Sequence, residues 1–161
     1  MDTVQILCTL RDVGSFLDVF PSNLLSHSIT RTSTVIINAD PHKVGGSHWL
    51  AVHFRSKYSS AYYFDPYGIV PLVPSIWAFI KRNCTTWDYN RRQLQDLTTD
   101  VCSKYCCLFV LNVDRGYTTK QFISQFYVCN NVDRQVERLF TTEFGAQMSR
   151  GGWGQCCRRC L

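Results

Sequence analysis

The stretch Cys102–Leu111, CSKYCCLFVL, places three cysteines within six residues and ends in an apolar run. A short apolar run of this kind fits a buried helix or a buried strand, because its periodicity does not separate the two. If a helix begins at Cys102, its thiol lies at the helix N-terminus, where backbone N–H groups stabilise a thiolate. Cys106 and Cys107 would then face different sides of the helix, so we expect at least one of them in the core.

Composition predicts one soluble domain. The chain has 161 residues, of which 45% are hydrophobic and 18% charged, and this length can bury a core without disulfides or metals. The apolar run Tyr105–Leu111 is too short to span a bilayer, so we expect no membrane partner. We also expect a monomer. The opening residues show no signal peptide, which favours a reducing compartment where the nine cysteines are mostly thiols.

The pattern of elements predicts an α+β fold with a central, mostly antiparallel sheet flanked by helices. The predicted elements are a helix near Thr3–Val13, strands at Thr34–Asn38, Ser47–Phe54 and Ala61–Phe64, a helix at Ser75–Asn83, and helices capped by Thr118 and Asn131. Beyond Gly145 the helical pattern is lost. We therefore assign residues 1–150 to one domain and residues 151–161 to a basic, cysteine-rich tail.

Four residues offer the parts of a cysteine nucleophile site. A catalytic thiolate needs an imidazole to share its proton, a group that orients the imidazole, and donors for the oxyanion. His48 follows a Gly-Gly turn at the start of a strand, and Asp65 ends the next strand, so both side chains can reach the same end of a sheet. Gln95 lies in a loop before Cys102 and can supply the oxyanion donor.

Simpler interpretations exist for several of these residues. Gln93 is close enough to Gln95 to take its role, Asp65 before Pro66 is a common turn former, and His53 fits a half-buried strand histidine. A single CxxC at Cys157–Cys160 has no second pair at zinc spacing, so we expect no metal site.

Four motifs in order resemble the adenovirus protease (adenain) family, whose superfamily includes peptidases that remove SUMO and ubiquitin-like modifiers. They are GGSHW at Gly45–Trp49, FDPYG at Phe64–Gly68, Gln95, and Cys102 followed by Cys106-Cys107. The resemblance implies His48 as the base, Asp65 as its orienting residue, Gln95 as the oxyanion donor and Cys102 as the nucleophile. One departure is Ser103, where the family usually has Gly, and a side chain there could narrow the S1′ side of the cleft.

The resemblance implies a viral cysteine endopeptidase that cleaves precursor polypeptides during virion maturation, in the host nucleus and the virion, without a small-molecule cofactor. Two alternatives stay open on the same fold. One is an isopeptidase that removes a ubiquitin-like modifier, and the other is a non-catalytic DNA-binding or scaffold protein.

The tail resembles the peptide that activates adenain, which begins with Gly and ends in basic residues, Cys and Phe. Gly152–Leu161 ends in Arg-Arg-Cys-Leu, and Cys84 occupies the place of the adenain cysteine that bonds this peptide. The resemblance thus implies a built-in activating peptide with Cys160 near Cys84, released by a cut at Gly151–Gly152 or acting uncut. The alternative is a frayed basic tail.

The net charge of +5 allows a surface for DNA, which adenain binds without regard to sequence. The candidate cations are Lys81, Arg82, Arg91, Arg92, Arg158 and Arg159.

Overall fold

The structure, a computed structural model, describes residues 1–25, 28–42 and 48–150, with side chains described to residue 146. Its helices are α1 (Thr3–Leu10), α2 (Pro74–Asn83), α3 (Cys102–Asp114), α4 (Thr119–Ser124) and α5 (Val132–Arg150). Its strands are β1 (Phe16–Pro21), β2 (Ser33–Asn38), β3 (Trp49–Arg55), β4 (Ser60–Phe64) and β5 (Thr86–Tyr89). Over these ranges, each helix is too short or too polar to cross a lipid bilayer.

The α+β class is confirmed, but the prediction of a mostly antiparallel sheet is wrong. The strands lie in the order β1-β2-β3-β4-β5. The two inner pairings are antiparallel, whereas β1 pairs with β2 and β4 pairs with β5 in parallel. The two outer strands were not predicted. A chain segment that contains α2 joins β4 to β5, and such a crossover brings the next strand back in the same direction.

The run Cys102–Leu111 is part of a helix, which settles the helix-or-strand ambiguity. α3 packs against the sheet, and its Phe109 ring stacks on Phe64 of β4 with centroids 4.7 Å apart. Cys106 and Cys107 are both fully buried in this core. A second apolar cluster, with Phe79 of α2, forms a separate core, so the sheet carries one hydrophobic core around α3 and another around α2.

The helix starts follow the predicted caps. Thr118 forms a capping box with Gln121, and Asn131 Oδ1 accepts a hydrogen bond from the Arg134 N–H at the start of α5. The predicted loss of helix beyond Gly145 is wrong, because α5 continues to Arg150. One glycine costs a helix only about 1 kcal/mol, and buried Phe140 and Phe144 hold α5 on the core.

Candidate active site

His48 and Asp65 meet at one end of the central sheet. His48 directly precedes β3, and Asp65 directly follows β4, its antiparallel neighbour. His48 Nε2 lies 2.9 Å from Asp65 Oδ1 and donates to it. The Asp65 side chain is only 4% exposed, but that of His48 is 17% exposed, so the imidazole is the member of the pair that a substrate can reach.

Asp65 is fixed through its backbone by Asn90, a residue that the sequence analysis missed. The Asn90 amide accepts from the Asp65 N–H at 2.9 Å and donates to the Asp65 carbonyl at 2.5 Å. Asn90 is 3% exposed, so this double contact is shielded from water. Asn90 follows the unpredicted strand β5, and without that strand nothing in the sequence places it beside Asp65.

The turn after Asp65 depends on Gly68. Its φ is +70°, a conformation that side chains disfavour, and a Cβ there would lie 2.6 Å from the Arg92 carbonyl carbon. The Tyr67 N–H donates to Asp65 Oδ1 at 2.8 Å within the same turn. The FDPYG motif thus brings the carboxylate to His48 and lets the segment after β5 pack closely against it.

Cys102 is the first residue of α3 and is 5% exposed. The first N–H groups of a helix have no acceptor within the helix, so they can stabilise a thiolate or an oxyanion. Ser103 is buried, with its hydroxyl 3.4 Å from the Met1 amino group. Its side chain therefore packs inward and does not stand in an open cleft.

The charge state of His48 depends on its two neighbours. Burial by itself lowers the pKa of His48, but the hydrogen bond to Asp65 and the nearby Cys102 thiol, together with the charges of both residues, outweigh it and raise the pKa to about 9. Nδ1 is buried and makes no hydrogen bond of standard geometry in the described part of the chain. Since Nε2 is held by Asp65, Nδ1 is the nitrogen available to the Cys102 thiol.

Gln95 lies in the site, whereas Gln93 does not. Gln95 is 1% exposed, and its Nε2 donates to the Thr99 carbonyl at 2.7 Å and approaches the Tyr67 hydroxyl at 3.4 Å. Its Oε1 is buried without a partner in the described residues. Gln93 is exposed and donates to the Gln95 carbonyl. The short bond to Thr99 fixes one amide N–H and leaves the other with only a long contact.

Tyr67 connects the two halves of the site. Its ring stacks on His48 with centroids 4.7 Å apart, and its hydroxyl accepts the long contact from Gln95. Burial and the charges of Cys102 and Asp65 raise the pKa of Tyr67, so the hydroxyl keeps its proton. This role of Tyr67, which lies within FDPYG, could not be predicted, because an aromatic residue in a turn carries no signal of stacking on a histidine far away in the sequence.

The remaining predicted residues lie elsewhere. His53, in the middle of β3, is buried with Nδ1 2.9 Å from the Thr34 hydroxyl, as expected for a satisfied strand histidine. No cluster suited to a metal occurs in the described part of the chain. Gly45 and Gly46 lie outside the described residues.

Cys84 is a free thiol whose Sγ donates to the Ile80 carbonyl, and burial raises its pKa. Cys160 lies outside the described residues, so its approach to Cys84 stays a prediction. Met148 and Arg150, in the predicted cleavage segment, belong to α5. A cut at Gly151–Gly152 would need the last turn of this helix to unwind, since peptidase clefts bind extended chains.

Comparison with known proteins finds similarity to adenovirus proteases. The family model described as adenovirus endoprotease matches residues 13–72. The protease of human adenovirus A serotype 12 is 27% identical over 124 residues, which cover 66% of this chain and 60% of that protein. The protease of bovine adenovirus B serotype 3 is 28% identical over 112 residues, 61% of this chain and 53% of that protein. The match thus spans little more than half the length of these relatives.

Solved structures show the same fold. The selenomethionine form of the ASFV pS273R protease superposes with a TM-score of 0.54 at 19% identity, over 71% of this chain and 44% of that one. ChlaDub1 from Chlamydia trachomatis superposes with a TM-score of 0.51 at 14% identity, over 75% of this chain and 62% of that one. The resemblance of this chain to adenovirus-protease-like cysteine peptidases, predicted from four motifs, is therefore confirmed by sequence and by fold.

Proposed function

We propose that this chain is a cysteine endopeptidase of the adenain type, with Cys102 as nucleophile, His48 as base, Asp65 as orienting residue and Gln95 as oxyanion donor. The observation that carries the proposal is the arrangement at His48. One ring nitrogen is held by a buried carboxylate, the other has no partner of standard geometry among the described residues, and Cys102 at a helix N-terminus is near enough to raise the pKa of the ring.

These residues support acyl transfer in two stages. The Cys102 thiol gives its proton to His48 Nδ1, and the thiolate attacks the carbonyl carbon of the scissile bond. The oxyanion accepts from the Gln95 N–H that otherwise makes only the long contact with Tyr67, and from N–H groups at the start of α3. The imidazolium then gives its proton to the leaving amine. In the second stage His48 takes a proton from water, the hydroxide releases the acyl group, and the Cys102 thiol is restored.

Hydrolysis of short fluorogenic peptides with small residues around the bond tests this directly. We expect activity in the wild type and none above background in Cys102→Ala. Cys129→Ala is the matched control, because Cys129 is another free cysteine, partly exposed, and lies in the segment between α4 and α5. Activity that survives Cys102→Ala, or that is lost equally in Cys129→Ala, contradicts the assignment.

The natural substrates that we propose are viral precursor polypeptides, cleaved in the host nucleus and in assembling virions. Support comes from the adenovirus proteases among the relatives. The competing isopeptidase function shares the fold, and a panel of ubiquitin-like fluorogenic substrates separates the two. If these substrates are turned over faster than peptides, the proposed activity becomes removal of a ubiquitin-like modifier instead of endopeptidase cleavage.

We further propose that the tail, residues 151–161, activates the enzyme. Because α5 continues to Arg150, the informative truncation ends at Arg150 and keeps the helix whole. This variant should lose most activity, and the peptide Gly152–Leu161 should restore it. Cys84→Ser tests the pairing with Cys160: unchanged activation under oxidising and reducing conditions would exclude the disulfide.

For DNA, we propose a groove of about 680 Å³ along β5 and α4. Arg91 and Arg92 line it together with Arg55 and Lys120, and each of the first two stacks on a tyrosine of the groove. Lys81 and Arg82 do not line this groove, and Arg82 donates to the Leu25 carbonyl. Arg158 and Arg159 lie outside the described residues. Tyrosines and arginines in one groove suit stacking bases and phosphates.

Binding in this groove must weaken steeply with salt, because it releases counterions. Arg92→Ala with Lys120→Ala should reduce the salt dependence. Arg134→Ala with Arg138→Ala on α5 removes the same charge outside the groove and is the control. Equal effects of both pairs would mean that DNA binding depends on the net charge of the protein and not on this groove.

A further inference from the structure

We propose that Asp133 is a positioning residue, which holds the Gln95 loop (residues 94–99) against α3 and thereby sets the direction of the oxyanion donor. The inference rests on the proposed peptidase function and adds a residue from α5, a part of the chain outside all four motifs.

The Asp133 carboxylate joins the Gln95 loop to α3. Its Oδ2 accepts from the Asp96 N–H at 3.1 Å and from the Thr99 hydroxyl at 2.7 Å. Its Oδ1 accepts from the Tyr105 hydroxyl at 2.7 Å. Tyr105 is fully buried one turn after Cys102, and burial and Asp133 keep its pKa raised, so the hydroxyl stays a donor. One side chain thus contacts both the loop with Gln95 and the helix with Cys102.

The loop has a second anchor at its other end. The Leu94 and Gln95 N–H groups both donate to the Pro66 carbonyl, at 2.9 and 3.0 Å. This anchor ties the backbone of Gln95 to the turn that carries Asp65. It leaves residues 96–99 to be fixed by Asp133, which binds two of them.

The direction of the Gln95 amide depends on residues 96–99. The Thr99 carbonyl accepts the short hydrogen bond from Gln95 Nε2, and the Thr99 hydroxyl donates to Asp133 at 2.7 Å. If the carboxylate is removed, Thr99 loses its external anchor and the amide loses its fixed acceptor. Misplacement of a catalytic group by about 1 Å can cost about 100-fold in rate.

Glu137 provides a matched control on the same helix. It lies one turn after Asp133 and pairs with Lys104 of α3 at 2.8 Å, so it also joins α5 to α3. None of its contacts in the described residues reaches the Gln95 loop. A role of Asp133 in helix packing alone predicts equal effects of Asp133→Ala and Glu137→Ala.

The test compares kcat and KM of the full-length chain for one peptide substrate. Asp133→Ala should lower kcat roughly 10- to 100-fold with KM changed less than about threefold, and Glu137→Ala should leave kcat within about twofold. In a Gln95→Ala background, Asp133→Ala should cause no further loss, because it acts through Gln95. The inference would be overturned if the fold-losses of kcat in Gln95→Ala and Asp133→Ala multiply in the double variant. Equal losses of kcat in Asp133→Ala and Glu137→Ala would also overturn it.

Two further measurements keep the test decisive. If Asp133→Ala does not fold, Tyr105→Phe removes the hydroxyl that binds Asp133 with little change of volume and should show the same non-additivity with Gln95→Ala. If the wild type cleaves no peptide, the proposed function fails by itself. Deuterium exchange of residues 94–99 then decides the inference: faster exchange in Asp133→Ala than in Glu137→Ala supports the anchor, and equal exchange overturns it.

Discussion

Strand β3 contains one histidine and directly follows another, and the two are in opposite states. His53, within the strand, has its pKa lowered to about 4 by burial and by the nearby Arg55 charge. His48, just before the strand, is partly buried, but Asp65 and Cys102 raise its pKa to about 9. Burial acts in the same direction on both, so the difference comes from a carboxylate and a thiol that only the sheet end provides. The groups that face a buried or partly buried histidine thus decide the direction in which its pKa shifts.

The largest predicted difference in activity is between variants that lack the His48 imidazole and variants that lack the His53 imidazole. His48→Ala should lower kcat/KM at least about 10³-fold, since loss of a catalytic base removes most of the rate enhancement. His53→Gln should leave kcat/KM within about threefold and change only the free energy of unfolding. Peptide hydrolysis and thermal unfolding of both variants check this. Comparable losses of activity would remove the distinction between the two histidines.

Asp65→Asn tests the cause of the difference, because it removes the carboxylate that raises the pKa of His48. An amide cannot stabilise the imidazolium, so kcat should fall on the order of 10²- to 10⁴-fold while the fold is kept. The pKa of His48 should also drop, and the alkaline limb of the activity profile, expected near 9 in the wild type, should move to lower pH. An unchanged limb would mean that Asp65 does not set the charge of His48.

Gln95→Ala should lower kcat by about two to three orders of magnitude with little change in KM, as loss of an oxyanion donor does. Gln93→Ala, two residues away and exposed, is the control and should be nearly silent. The reverse ranking would move the oxyanion role to Gln93.

The smallest predicted effect is on the free energy of unfolding, and the direction in which it changes with pH differs between the two histidines. His53 stays neutral in the folded protein down to about pH 4, but in the unfolded chain it gains a proton below about 6.5. Stability should therefore fall between these values as pH falls, and less so in His53→Gln.

For His48 the folded pKa is raised, so its contribution is complete below about 6.5 and is lost as pH rises through about 9. Urea unfolding of the wild type, His48→Ala and His53→Gln between about pH 4 and 9 measures how the free energy of unfolding changes with pH for each histidine. Parallel curves for wild type and His53→Gln would contradict the assignment of a neutral, buried His53.

The predicted site residues lie in short sequence motifs, whereas the contributing residues that could not be predicted depend on the outer strands. His48, Asp65 and Cys102 could be placed because two adjacent antiparallel strands and one helix start fix them. β5 could not be predicted, because TWDY is a four-residue edge strand with half of its residues exposed, and its position depends on the α2 crossover. Asn90 was missed together with it.

Asp133 could not be found for a different reason. An acidic residue in the first turn of a helix is favoured by the helix dipole alone, so its presence carries no functional signal. Only the three-dimensional contacts with Asp96, Thr99 and Tyr105 connect it to the site.

The most direct test of the account is the pH dependence of cysteine alkylation, read residue by residue by mass spectrometry. If Cys102 shares its proton with His48, it should react with iodoacetamide at about pH 6, where ordinary thiols are almost fully protonated. Cys129, partly exposed and outside the site, is the comparison thiol, and fully buried Cys106 and Cys107 should stay unlabelled. His48→Ala should abolish the acidic reactivity of Cys102. If Cys102 and Cys129 instead follow the same pH curve, the proposed thiolate–imidazolium pair does not exist.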